Sequence, residues 1–262
     1  MCSSDLKITI LGSGSAYGCP NCFNDWGNIK DTNNPKNQRT RACTFVEIDG
    51  QSFLIDLTPD FREQINKNNI KNLDAVLLTH GHYDHIAAVS ELWRAAHILQ
   101  KKLNIFCSEE TFAEVKTCFP YFFKSNHESG SDQIIWNVLQ ENQEFEFAGI
   151  KWQTFQNKHG HMSTTAYRHK KLAVVMDLEE LSDTNKTRLH NLDLLIIECN
   201  NGQDDKARNG HNNLRNILNW TAELKPKKTL LTHLSTRVDY NEVSQTLPPE
   251  IELAYDGMTL EI

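Results

Sequence analysis

The chain is a succession of short apolar blocks between polar turns, and the period of each block predicts its element. LKITILG (6–12) is apolar at alternate positions and stops at glycine, which predicts a strand. CTFVEID (43–49) and SFLIDL (52–57) flank Gly50-Gln51 and predict a hairpin. DAVLLTH (74–80) is an apolar run and predicts a strand buried on both faces. Residues 86–99 have helical spacing, while LNIFC (103–107) and GIKWQTF (149–155) are further strands. The second half continues in the same manner. LAVVMD (172–177), DLLIIEC (193–199) and KKTLLTH (227–233) read as strands, with helices over residues 179–192 and 212–224 between them. Strand–helix alternation in both halves, with no low-complexity linker or short repeat, predicts two packed sheets with helices outside. One domain is expected over residues 1–262.

Polar chemistry falls at the ends of these strands. His80, Asp177, His233 and Asp56 each close an apolar run, and loops leaving rigid strand ends can converge on one site. The densest stretch is LLTHGHYDHI (77–86), with three histidines and an aspartate within six positions. A buried imidazole needs partners for its nitrogens, so packing alone does not account for such density. A metal centre does.

Composition narrows the reading. The formal net charge is -7, which offers no broad surface for a polyanion, so nucleic acid is not the expected partner. No run approaches the ~20 apolar residues of a membrane helix, and the first residues do not resemble a signal peptide. Seven scattered cysteines suggest free thiols and a cytoplasmic location rather than a disulfide framework. Cys19-x-x-Cys22 lacks a second pair at matching spacing and reads as a turn with two ordinary thiols.

THGHYDHI is similar to the T-H-x-H-x-D-H motif of the metallo-β-lactamase superfamily, which fixes four potential metal donors in type and spacing after a threonine. GSGSAYGCP resembles that superfamily's glycine-rich first loop, and LIDLTPDFREQ the aspartate-bearing strand after it. KHGHMSTTAYR, VVMDL and LLTHLSTRVDY resemble its later motifs, so the likeness covers nearly the whole chain. It implies an α/β fold, the αββα sandwich of two mixed sheets flanked by helices, with a dinuclear site along one edge. FNDWGNIKDTNNPKNQRTRAC, TPDFREQ and AYDGMTLEI are closest to the branch of phosphoribosyl cyclic phosphate phosphodiesterases. The transfer-RNA 3′-processing nucleases are also related, and share the aspartate at the position of Asp177. The phosphonate-pathway enzymes of that branch hold a structural zinc on three cysteines and a histidine. Here Cys19 and Cys22 are out of register and Thr236 stands near the histidine's place, so no structural zinc is expected.

The resemblance implies a ligand set. His80, His82 and His159 would hold one divalent ion, Asp84, His85 and His233 a second, and Asp177 would bridge them with one oxygen each. Imidazole-rich sites suit zinc, and the carboxylates admit manganese or iron. A dimetal-bound hydroxide, generated as the pKa of water falls from 15.7 to about 7, would attack phosphorus. Asp84 and His211 are the expected catalytic residues, His211 as general acid or phosphate contact. Asp56 is expected to orient a ligand histidine.

Other residues carry alternatives. His161 competes with His159 as ligand. Arg39 and Arg41, in PKNQRTR, grip phosphate or are solvated loop charges. CFPYFFK (118–124) covers the cleft, forms a dimer contact, or is a buried hairpin or helix end. His97 is read as a packed helix residue, His127, His169 and His190 as loop or surface histidines, and Asp60 and Arg62 as structural. The expected activity is a metal-dependent phosphodiesterase acting on a small cyclic diester; a homodimer is one assembly the sequence admits, and it names no oligomeric state. The alternatives are an RNA-end nuclease, a non-phosphoester hydrolase and a non-hydrolytic metal-binding protein.

Overall fold

The computed structural model describes residues 6–123, 133–204 and 210–262. The first sheet takes β1 (Leu6–Gly12), β2 (Cys43–Ile48), β3 (Gln51–Ile55), β4 (Ala75–Leu77), β5 (Leu103–Ser108) and β6 (Ile134–Leu139). The second takes β7 (Glu144–Phe147), β8 (Ile150–His159), β9 (Met162–His169), β10 (Leu172–Val175), β11 (Leu194–Glu198), β12 (Lys228–Thr232) and β13 (Ile251–Leu253). The last strand, β14 (Met258–Glu261), returns to pair with β1, giving seven strands per sheet. Each sheet is antiparallel where hairpins join its strands and parallel where helices cross over, as chain reach requires. This is the αββα sandwich of the metallo-β-lactamase fold.

Period-two alternation sorts the strand residues between layers. Ile8, Phe53, Ile55, Val174, Ile196 and Leu230 meet Trp152 and Tyr167 in the core between the sheets. Their neighbours Leu54, Val76 and Ile105 face the helices α1 (Phe61–Lys67), α3 (Leu92–Leu99) and α4 (Glu109–Cys118) on one outer side. Leu195, Ile197 and Leu231 face α6 (Leu214–Leu224) on the other. The short helices α2 (Tyr83–Ile86), α5 (Asp183–Thr187) and α7 (Tyr240–Ser244) sit in the crossovers.

Three local expectations are corrected. The hairpin corner is Asp49-Gly50, both at positive φ, one residue earlier than the expected Gly50-Gln51. The helix over 86–99 is broken into α2, a 3-10 stretch (Ala87–Glu91) and α3. The cause is tertiary: the Ala88 amide donates to Leu57 O, leaving the Asp84 carbonyl it would meet in a continuous helix. The helix over 179–192 shrinks to α5 because the Glu179 amide is taken by Lys158 O and the Ser182 side chain caps Asn185 N.

Candidate metal centre

Asp56, Asp177 and His233 each sit just past a strand, β3, β10 and β12, and each has a left-handed backbone, with φ of 69°, 43° and 55°. Residues other than glycine seldom take this conformation, which costs about 1–2 kcal/mol. Three such residues at converging strand ends mark a site whose geometry the surrounding fold enforces. The β4 exit supplies His80, and α2 supplies Asp84 and His85.

The seven expected ligands meet. Donor atoms of His80, His82, His159 and Asp177 lie within 4.8 Å of one another, as do those of Asp84, His85, Asp177 and His233. His82 Nδ1 is 2.9 Å from His80 Nε2 and 3.3 Å from His159 Nε2. Asp177 Oδ2 is 3.5 Å from His80 Nε2, 3.8 Å from His159 Nε2 and 3.4 Å from His85 Nε2. Asp84 Oδ2 is 3.0 Å from His85 Nε2 and 3.3 Å from His233 Nε2. Ligands about 2.0–2.1 Å from a tetrahedral zinc are roughly 3.4 Å apart, so both groups are at ligand-sphere spacing. Asp177 Oδ2 faces His80, His159 and His85, while Oδ1 turns to His233 of the second group and to His211 at its rim. Both carboxylate oxygens of Asp177 therefore face donors of the second group, and Oδ2 faces the first group as well.

Hydrogen bonds set the imidazole tautomers. His159 Nδ1 must donate to Gly210 O at 2.9 Å, and His85 Nδ1 donates to Asp56 Oδ2 at 2.7 Å. His159 thus presents a bare Nε2 to the cluster, and His85 turns its Nε2 there as well. His85 Nε2 and Asp177 Oδ1 are buried with no hydrogen-bond partner among the described residues. Bare lone pairs and a carboxylate facing one another repel unless a cation lies between them, and that is the test these residues pass. Asp56 also reaches His80 indirectly, because the Thr79 hydroxyl lies 2.9 Å from Asp56 Oδ2 and 3.0 Å from His80 Nδ1. The expected orienting role of Asp56 thus has its geometry.

Electrostatics divides the imidazoles. Burial, reinforced by His85, pushes His80 well below the ordinary histidine range, and burial with His159 lowers His82. Burial also opposes charge on His85, but Asp84, Asp56 and Asp177 hold its proton well above the usual range. Burial works against ionisation of Asp84 and Asp177 as well. His85 and His233 nevertheless keep Asp84 depressed, and His233, His85 and His211 keep Asp177 depressed. His80 and His82 thus offer neutral nitrogens and Asp84 and Asp177 ionised oxygens, the forms that metals take, whereas His85 must first give up a proton.

His211 stands at the rim. Its Nδ1 is 3.6 Å from Glu198 Oε1 and 3.9 Å from Asp177 Oδ1, ion-pair contacts rather than hydrogen bonds. Burial opposes its charge, but Asp177 and Glu198 raise its pKa to about 9. Glu198 was not singled out from the sequence. It is fully buried, with its oxygens accepting from the Asn212 and Asn200 amides at 2.8 Å. The signal was available, since Glu198 closes the apolar run DLLIIE as Asp177 closes LAVVM.

The remaining histidines are elsewhere. His161 is exposed and belongs to neither donor group, so His159 is the one brought in. His97 is exposed rather than packed, and His190 is exposed. His169 is buried in β9 against Trp152, with Nδ1 on Lys151 O, contrary to its expected loop or surface setting. His127 lies outside the described residues. Arg39 and Arg41 are neither phosphate grips nor solvated. Arg39 is buried and donates to Val238 O, Ser235 O, Lys36 O and Asn37 Oδ1, because loops on both sides of it expose carbonyls there. Arg41 pairs with Asp60 and donates to Ala16 O, while Arg62 is exposed. Of CFPYFFK, Cys118 ends α4 and Pro120–Phe123 form a 3-10 turn of which Phe122 is buried, and Lys124 lies outside the described residues. Cys19 is buried, Cys22 is exposed, neither joins a donor group, and all six described cysteines are free. No helix of the described residues is long and apolar enough to cross a membrane.

Fold and donor set together define a metallo-β-lactamase-type hydrolase scaffold. The chain belongs to the family described as the β-lactamase superfamily domain, whose model matches residues 51–234. It is a metal-dependent hydrolase of that superfamily. Its structure is similar to that of a new diphosphatase from the PhnP family, with a TM-score of 0.88, 29% identity, and 98% and 97% of the two chains covered. It is similar in fold to Zn(2+)-bound PqqB from Methylobacterium extorquens, with a TM-score of 0.78 at 19% identity, covering 98% of this chain and 100% of that one. An octanoyltransferase of Porphyromonas gingivalis is 25% identical over 257 residues, 97% of this chain. The chain spans about half, 51%, of that protein's length.

Proposed function

We propose that the protein hydrolyses a small cyclic phosphodiester, with two divalent ions, zinc or manganese, held by His80, His82 and His159 and by Asp84, His85 and His233 across Asp177. When bound, the ions supply Lewis acidity that activates water at neutral pH and neutralises charge on the phosphoryl oxygens. The observation that carries the reading is the pairing of His211 with buried Glu198 beside this cluster. An acidic partner keeps His211 protonated, and cations bound at Asp177 would leave Glu198 as the group that does so. With Nδ1 turned to the carboxylates, Nε2 can give its proton to a departing alkoxide. Asp84 and Asp177 hold their negative charge where the cations would sit. A cyclic ester keeps its leaving oxygen within reach of a fixed acid.

The PhnP-family diphosphatase favours a second reading, a diphosphate linkage. Its leaving phosphate needs less protonation than an alkoxide, so dependence on His211 separates the two. An RNA-end nuclease would need a cationic track for the polymer, which the composition does not favour. The test is kcat/KM of metal-reconstituted protein, at matched metal content, against five- and six-membered cyclic phosphates, a diphosphate diester, a lactam, an acyl thioester and precursor transfer RNA. Highest turnover of a cyclic phosphate supports the proposal. A preference for precursor transfer RNA that high salt abolishes would overturn it.

A further inference from the structure

The outer face of the first sheet carries a cleft of about 490 Å³ between α1, with the segment after it, and α3, within the range of small-ligand sites. Phe61, Ile65 and Leu73 line it from one side, and Ala95, Ile98 and Leu99 from the other. Phe61 and Leu73 are buried in the outer core, while Ile65, Ala95 and Leu99 pack on it and stay partly exposed. Ile98 is 65% exposed. The two helices therefore leave apolar surface uncovered in a concave place. Every lining residue falls within 61–73 or 91–99, and neither stretch adjoins a segment outside the described residues. None of the proposed metal ligands lines the cleft, nor do His211 and Glu198.

The charges of the cleft run against those of the chain. The formal net charge is -7, yet Arg62, Lys71 and Arg94 line the cleft with one carboxylate, Glu91, among the described residues. All three cations are exposed, and no hydrogen bond or ion pair joins their side chains to another described residue. Apolar walls with unpaired cations call for an occupant that has an apolar body and a negative end. A second copy of the chain is the wrong complement, because a two-fold interface would set these cations against themselves. A folded partner would have to find most of its contact elsewhere. A standard interface takes about 800 Å² from each side, whereas the walls here are helices of seven and eight residues, about 10–12 Å long.

We propose that the cleft binds a medium-chain alkyl carboxylate, its chain against Phe61, Ile65, Ala95 and Ile98 and its headgroup among Arg62, Lys71 and Arg94. At roughly 1.3 Å per bond of an extended chain, about eight to ten carbons match the length of the walls. The chain supplies the affinity, since each buried methylene tightens binding about fourfold. The headgroup supplies direction, because exposed charge pairs add little in water. This site and the metal centre stand or fall separately.

The test is calorimetry of the zinc-loaded protein with acetate, hexanoate, octanoate, decanoate and dodecanoate, and with octanol. Octanoate should bind at one equivalent, about 15-fold more tightly than hexanoate, and the gain should flatten by dodecanoate as the chain outgrows its walls. Ile98→Glu changes an exposed side chain, so the thermal melt should hold while octanoate weakens about 10-fold or more against the new carboxylate. Arg94→Ala should cost octanoate up to about 5-fold and leave octanol unchanged. Methyl spectra of the unaltered protein give a reading that needs no variant: octanoate should show cross-relaxation with Ile65, Ala95 and Ile98. No binding of octanoate, contacts confined to other methyls, or full affinity in Ile98→Glu would overturn the proposal. Acetate bound as tightly as octanoate would do so too, by moving the carboxylate to the metals. Octanol equal to octanoate would overturn the role of the cations. A dimer in sedimentation that Ile98→Glu dissociates would give the cleft to a second copy and overturn the ligand.

Discussion

Asp56→Asn is the substitution that tests the centre without touching a proposed ligand. Asparagine tolerates the left-handed backbone at φ 69°, so the turn after β3 survives. The carboxylate accepts on both sides, from the Thr79 amide at 2.8 Å on Oδ1 and from His85 Nδ1 at 2.7 Å on Oδ2. An amide has one acceptor oxygen and cannot serve both, so one N–H must face another. If His85 loses its acceptor, the proton that settled on Nδ1 can move to Nε2, the atom that faces Asp84 and Asp177. Loss of such an outer partner costs about 10–100-fold in metal affinity, or roughly 1.4–2.7 kcal/mol. The weakening should fall on the ion held by His85, with the ion of His80, His82 and His159 changed by a few-fold at most. Competitive zinc titration against a chromophoric chelator resolves two steps and reads both. Thr79→Val should give the opposite pattern, since it removes the hydroxyl behind His80 Nδ1. Wild-type affinity at both steps in Asp56→Asn, or the same loss at both, would refute the reasoning.

His211→Ala should keep the metals and slow an alkyl diester about 10²–10⁴-fold, with little loss on a nitrophenyl ester whose leaving group needs no proton; an equal loss on both would make His211 a phosphate contact. His211 must be protonated to act, so activity should fall as pH rises through its pKa, which Glu198 beside Nδ1 pushes upward. Glu198→Gln should move this alkaline limb to lower pH in a kcat profile, and an unmoved limb would exclude Glu198 as the group that holds the proton. His85 is held protonated above the usual histidine range in the metal-free protein, so metal entry at pH 7 must expel a proton and affinity must weaken as pH falls. Calorimetry in buffers of different ionisation enthalpy counts that proton, and a count of zero would contradict the assignment. Arg39→Met would strand several buried acceptors and should lower stability by about 3 kcal/mol or more, a Tm drop of roughly 6–12 °C by thermal melt.

Much of this protein is legible in local pattern. Apolar runs such as LAVV and LLIIE have no other low-energy fate than strands covered on both faces, and the spacing in THGHYDHI places four donors on one short turn and helix. These features depend on neighbours a few residues apart, which is the range over which sequence periodicity speaks. The helix over 86–99 was not legible, because the Leu57 carbonyl that breaks it lies some thirty residues away in sequence. Glu198 was hidden for a related reason: a strand-end acid is ordinary until the fold brings His211 beside it. Arg39 and Arg41 misled because charge predicts solvent, whereas here opposing loops supply enough carbonyls to bury one guanidinium and an aspartate to pair the other. Composition and spacing therefore determined which groups were available, and only the packing of two sheets determined which of them share a dielectric, a proton or a cation, since those energies depend on distances of a few ångströms that no local pattern contains.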